Sequence, residues 1–157
     1  MSTWAQFSSE APELAAKLRE RFDAHRHKTM ATLRADGSPR ISGTEVSIAG
    51  GELTIGSMPG AVKGADLRRD PRVAIHSGSD EPDGWRGDAK VAGRAVLVTD
   101  EAEITRLVEG PHPEPGSFDL FRIEIAEAVV VSLNEAKDRL VIESWHESRG
   151  YQRVERE

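Results

Sequence analysis

Leu53-Thr-Ile-Gly-Ser-Met-Pro-Gly-Ala-Val-Lys63-Gly-Ala-Asp-Leu-Arg-Arg-Asp-Pro-Arg-Val-Ala-Ile-His76 reads as a strand, a tight turn, a short helix and a second strand. Leu53 and Ile55 alternate with polar neighbours, as a half-buried strand requires. Gly56-Ser57-Met58-Pro59-Gly60 breaks that period with turn residues. Ala61 to Arg69 then reads as about two turns of helix with Val62, Ala65 and Leu67 as apolar positions, stopped by Asp70-Pro71. Val73 and Ile75 resume the alternation. A small-residue turn running into a helix with Lys63 in its first turn can hold a phosphate, through free N–H groups, the helix dipole and a full positive charge. The same spacing fits an ordinary crossover with a surface lysine. It is not a Walker loop, because no Gly-Lys-Ser/Thr follows.

Outward from this stretch the chain reads as one mainly β domain over 1–157. Ser8-Ser9-Glu-Ala-Pro opens a helix expected over 10–25, with Leu14, Ala15, Leu18 and Phe22 on one face. His25 and His27 at its end lack a third metal ligand and read as helix terminus and linker. A strand from Lys28 to Arg34 turns at Asp36-Gly37-Ser38-Pro39 into a strand from Arg40 to Ala49. Gly50-Gly51 turns it again into Glu52–Ser57. Further strands are expected at Arg72–Ser77, at Gly87–Thr99 with a bulge at Gly93, at Phe118–Ala126 continued by Val129–Val131, and at Arg139–His146. A helix at Glu101–Val108 and a Pro/Gly-rich loop at Glu109–Gly116 interrupt them. The residues from 140 to 157 read as a C-terminal strand and tail. Antiparallel strands with hairpin turns and small helices predict a barrel.

The 157 residues carry 21 Lys and Arg against 27 Asp and Glu, which argues against nucleic-acid binding by bulk charge. There is no cysteine, so disulfides, thiolate metal sites and a cysteine nucleophile are excluded. No apolar run reaches the length of a signal peptide or a membrane span, so no membrane partner and a cytoplasmic place are the expectation. No nucleophile elbow, His-Glu-x-x-His or Gly-x-Gly-x-x-Gly is present. The absence of a protein-borne reaction centre beside an anion pocket points to a bound cofactor. Arg40, Ser42 and Thr44 offer a guanidinium and two hydroxyls, with Ser42 and Thr44 on one strand face, a set suited to phosphate or equally to solvent. The closing stretch from Ile142 to Arg156 offers Trp145 and three arginines. It reads either as the border of a cofactor or as a basic tail with a packing tryptophan.

These pieces resemble the pyridoxamine 5′-phosphate oxidase-like, FMN-binding split β-barrel family. The resemblance runs in order from Lys28 to Ala95. It is carried by Asp36-Gly-Ser-Pro-Arg40, by Gly56-Ser57 closing a strand, and by Lys63 followed by Asp-Leu-Arg-Arg-Asp-Pro-Arg-Val. It implies an antiparallel, Greek-key-like split barrel, a homodimer with FMN at the subunit interface, and hydride transfer to or from a small molecule. It places Gly56, Ser57 and Lys63 on the flavin and its phosphate, with Arg40 as a phosphate ligand beside Ser42, and Ser57 and Thr44 at the ring or ribityl chain. Val62 stands where the oxidase has a second basic residue, and Asp88 where it has a glutamine near the flavin. Glu143-Ser-Trp145 looks like the oxidase's Glu-Phe-Trp, whose tryptophan packs by the cofactor. Arg153-Val-Glu-Arg156 is similar to Arg-Leu-His-Asp-Arg but is shorter and lacks the histidine, leaving Arg156 for FMN. The segment 101–117 does not match the tyrosine, arginine and serine set that holds the vitamin phosphate, so the expectation is an FMN-dependent oxidoreductase other than the true oxidase. The family also contains users of the deazaflavin coenzyme F-420 and haem-binding members, which supply the alternatives: a deazaflavin-dependent reductase or a non-catalytic flavin or haem carrier.

Overall fold

Thr3 caps the first helix, α1 (Trp4–Glu10), through a reciprocal box with Gln6: each backbone N–H is bonded by the other's side chain, at 2.8 and 3.1 Å. The computed structural model describes residues 1–111 and 113–157. Helix α2 (Pro12–Asp23) follows at once. The helix expected over 10–25 is α2, whereas α1 before it was not expected; Ser8 and Ser9 lie inside α1 and do not cap α2. The break is at Ala11-Pro12, where the proline ring forces Ala11 out of the helical region to φ −135°, ψ 65°. The two helices bury Phe7, Leu14, Leu18 and Phe22.

The strands are β1 (Lys28–Leu33), β2 (Pro39–Thr44), β3 (Val46–Ala49), β4 (Glu52–Ser57), β5 (Arg72–His76), β6 (Asp88–Val98), β7 (Asp119–Leu133), β8 (Leu140–His146) and β9 (Gly150–Arg156). Helix α3 (Val62–Arg69) joins β4 to β5, and α4 (Glu101–Leu107) follows β6. Gly37 at φ +84° and the Asp36 carboxylate, which accepts from the Ser38 N–H at 2.9 Å, close the first hairpin. All strand pairs are antiparallel, in the order β2-β1-β5-β6-β7-β4-β3, with β8 added to β7 and β9 to β8.

The strand expected from Arg40 to Ala49 divides at Glu45: β2 pairs with β1, and β3 with β4. The alternation of buried and exposed residues continues through the break, which is why the sequence shows no boundary there. Because β2 and β3 end the strand path at opposite edges, yet one residue joins them, the sheet must roll until those edges meet. One residue spans only about 3.5 Å. No ladder joins β2 to β3 among the described residues. The result is a split, mainly antiparallel barrel.

The segments expected at 118–126 and 129–131 form one strand, β7, which runs on through a single extra residue: Ala92 pairs with Glu127 and Gly93 with Ile125, leaving Ala126 between them. The β6–β7 register shifts between Ala92 and Gly93, as the glycine predicted. The C-terminal tail is likewise a strand, β9, in full register with β8. The core gathers Met30, Leu53, Ile55, Ile75, Val91, Phe121, Ile123 and Trp145 from the strands against the two N-terminal helices. Phe7 and Trp145 meet at 5.1 Å between ring centres. No helix is long and apolar enough to cross a membrane among the described residues. His112, inside the loop expected over 109–116, lies outside the described residues.

A Cβ at Gly93 would stand 1.9 Å from the Glu124 carbonyl oxygen, a backbone atom that cannot move aside alone. Gly93→Ala is expected to lower stability by more than about 3 kcal/mol, measured by urea unfolding. A loss below about 1 kcal/mol would show that the bulge relaxes freely.

Candidate functional site

Strand β4 stops at Ser57 because Met58-Pro59-Gly60 turns the chain, with the Ala61 N–H donating to the Met58 carbonyl at 3.1 Å and Gly60 at φ +76°. Helix α3 then starts on Ala61, which has no side chain able to cap it. Its first-turn N–H groups and the positive end of its dipole are left for another acceptor. Of the apolar positions expected on this helix, Leu67 is buried, but Val62 and Ala65 are not. Gly64, Asp66 and Leu67 face inward, whereas Val62 is 60% exposed and Ala65 is exposed. Gly64 sits against β4: a Cβ there would be in ordinary contact with the Ser57 hydroxyl oxygen, at 3.4 Å.

Thr44 from β2, Gly56 and Ser57 from β4, and Lys63 from α3 line one cleft of about 680 Å³. Lys63 Nζ donates to the Gly43 carbonyl at 2.8 Å, which carries the ammonium across to the end of β2. The buried hydroxyls of Ser57 and Thr44 each donate at 3.3 Å to the next residue's carbonyl, Met58 and Glu45. Bonds that long are readily exchanged for a better acceptor. Val46, Leu107, Val108, Phe118 and Leu120 form the apolar wall, and His27, Glu45 and Glu109 also line the cleft. The arrangement suits a ligand with an anionic end, hydroxyl-bearing middle and flat apolar part.

Arg40 is absent from this cleft. Its Nε donates at 2.7 Å to Asp66, whose side chain is only 3% exposed and which also accepts from the Thr32 hydroxyl at 2.8 Å and Arg69 Nη2 at 2.8 Å. Burial pushes the Asp66 pKa up. The hydrogen bonds from Arg40, Thr32 and Arg69, with the Arg40 charge, outweigh it and hold the carboxyl down at about 2. Arg40 Nη1 and Nη2 have no hydrogen-bond partner among the described residues, and Arg40 lines a second hollow with Arg34, Val62, Ala65 and Arg69. Arg40 and Lys63, expected on one phosphate, therefore flank the first turn of α3 from two sides.

The other expected residues stand apart from the cleft. Ser42 is half-buried on the same β2 face as Thr44 but does not line it. Asp88, at the start of β6, accepts from the Trp85 indole at 2.9 Å and lies 3.8 Å from His76. Trp145 is buried in the core, its indole N–H on Glu10 at 2.9 Å. Arg156 is exposed on β9 opposite Leu140.

The profile of pyridoxamine 5′-phosphate oxidase matches residues 14–132. The chain belongs to this family. None of the curated proteins compared with it matches. Among solved structures it is similar to PhzG from Burkholderia lata 383 in complex with tetrahydrophenazine-1-carboxylic acid, at 13% identity and TM-score 0.64 over 94% of this chain and 87% of that one. It is similar to a pyridoxamine 5′-phosphate oxidase-related, FMN-binding protein from Nostoc punctiforme, at 12% identity and TM-score 0.61 over 90% and 94%. It is also similar to a heme binding protein from Mycobacterium smegmatis, at 15% identity and TM-score 0.61 over 92% and 88%. At these identities the likeness concerns the fold.

Within this oxidase-family barrel, roles that sequence reading did not assign include those of Phe118 and Leu107 on the cleft wall, and of Asp66 on the buried face of α3. Asp66 was legible only as an acid three residues before Arg69, a spacing that pairs on a helix. Nothing local tied it to Thr32 and Arg40. Asp66→Ala strands two guanidinium groups and a hydroxyl, and is expected to cost about 3 kcal/mol. The sign with pH follows from the depressed pKa. Stability owed to Asp66 is present above its ordinary value of 3.8 and is lost as pH falls from there through about 2. Asp66→Asn should therefore start lower at neutral pH and lose less on acidification in this window, read as urea midpoints against pH. Parallel curves for wild type and variant would remove Asp66 as an acid-sensitive tie.

Proposed function

We propose that this chain binds FMN in the cleft between β2, β4 and α3 and acts as a flavin-dependent oxidoreductase on a small molecule. The observation that carries the reading is the convergence of Lys63, Ser57, Thr44 and an uncapped helix N-terminus on one cleft with an aromatic and aliphatic wall. That donor set fits a flavin nucleotide: cation and N–H groups for the phosphate, hydroxyls for the ribityl chain and ring edge, apolar side chains for the ring. The FMN-binding relative from Nostoc punctiforme supports the same choice. FMN would supply hydride chemistry when bound. The protein's part is to neutralise the phosphate with Lys63, orient the ligand with Ser57 and Thr44, and exclude water with Phe118 and Leu120. Val62, where the resemblance has a basic residue, contributes no charge, so Lys63 carries more of the anion's affinity. A homodimer and a cytoplasmic place belong to this reading.

A second reading has one observation of its own: the imidazole of His27 lines the same cleft, and a haem-binding relative shares the fold. The absorption spectrum of purified protein titrated with FMN, deazaflavin or haem separates the three cofactors. Lys63→Ala is expected to weaken FMN binding about tenfold or more, one charge-assisted bond at about 1.4 kcal/mol per decade, followed by flavin fluorescence. Unchanged affinity in a folded variant would take Lys63 off the phosphate. A wild type that ignores FMN but shows a Soret band lost in His27→Ala would favour haem.

A further inference from the structure

Four titratable side chains line the cleft: Lys63, His27, Glu45 and Glu109. With the cofactor's phosphate on Lys63, no other permanent cation lines the cleft among the described residues. What remains for a second ligand is an apolar wall, one imidazole and two carboxylates. We propose that the small molecule which meets the bound cofactor here is a flat, apolar compound carrying a basic nitrogen and neither phosphate nor carboxylate. The inference rests on the FMN reading, because it needs Lys63 to be occupied.

The wall is fixed in place. Asp100 caps α4, accepting from the Glu103 N–H at 3.0 Å. Arg106 Nη1 donates to the Gly50 carbonyl at 2.6 Å, which ties the helix to the turn between β3 and β4. Leu107, the last residue of α4, is buried with Val98 and Leu120, and Val108 and Phe118 pack against them. An apolar wall formed in advance suits a rigid, flat ligand that gives up little freedom on binding.

The two carboxylates differ in what they already hold. Arg26 Nε donates to Glu45 at 3.1 Å, and His27 Nε2 stands 3.4 Å from the same oxygen. Glu109 follows Val108 directly, is exposed, and has no hydrogen bond or ion pair among the described residues. Arg106 is turned to Gly50 and does not line the cleft, so it offers an incoming anion nothing. Glu109 is therefore the acid left to meet a ligand's charge. An ammonium group beside it gains a charge-assisted hydrogen bond. A carboxylate or phosphate there meets a like charge, and the cofactor's own phosphate adds to the repulsion.

Three probes that share one ring system isolate the charge: naphthylmethylamine, naphthylmethanol and naphthoate, titrated calorimetrically into the FMN-loaded full chain at neutral pH. The amine should bind at least about tenfold tighter than the carboxylate, with the alcohol between them. Glu109→Gln should narrow that gap about threefold or more, and added salt should narrow it in the wild type, because the Glu109 carboxylate is exposed. In FMN-free protein, where Lys63 is unclaimed, the gap should close or reverse. FMN uptake by Glu109→Gln shows that the variant folds. An amine that does not bind, a carboxylate bound as tightly as the amine, or a gap that Glu109→Gln leaves intact would overturn the inference while FMN loading upholds the cofactor reading. A chain that takes up no FMN overturns both.

Discussion

One residue, Glu45, constrains the whole barrel. It joins β2 and β3, strands that terminate the sheet at opposite edges, and a single residue cannot bridge a flat sheet of that width. The sheet is therefore rolled by its own connectivity, with a covalent hinge where a closed barrel would have a ladder. The cleft lies along that gap: Gly43, Thr44, Glu45, Val46 and Ser47 all line it. The opening that prevents closure is what provides room for a ligand, so fold and site share one cause.

Helix α3 divides the two charged regions beside the gap. Toward the cleft its first turn presents Lys63, free N–H groups and Gly64 seated against Ser57. Toward the first hairpin it presents Asp66, which binds Thr32 of β1, Arg40 of β2 and Arg69 of its own last turn. A buried carboxylate with three donors is stable only while all three stay in place, so it pins the helix against both strands. That tie holds α3 against β1 and β2, beside the cleft.

Much of this was legible beforehand, because it is local. The Asp36-Gly37 hairpin, the strand Glu52–Ser57, the turn at Pro59-Gly60 and the bulge at Gly93 each depend on the conformational limits of a few residues. Membership of the oxidase family was legible for a related reason, since its signature lies in the same consecutive stretch. Other features were read wrongly by the same local logic. Ser8-Ser9 looked like a cap, but the Thr3–Gln6 box comes first and Pro12 ends what it starts. The residues after His146 were expected as a basic tail, yet main-chain bonds to β8 make 150–156 a strand.

By itself the sequence determined the antiparallel, mainly β character, the helix following β4, the lack of thiol chemistry and the family. Each of these is written in side-chain type and near-neighbour spacing. Only the tertiary structure decided that Lys63, Ser57 and Thr44 converge while Arg40 is drawn to Asp66, 26 residues away in the chain. It also decided that Trp145 fills the core beside Phe7. The physical reason is range. Turn and helix preferences act over a few residues, whereas the partner of a buried charge or aromatic ring is settled by which strands the rolled sheet brings together.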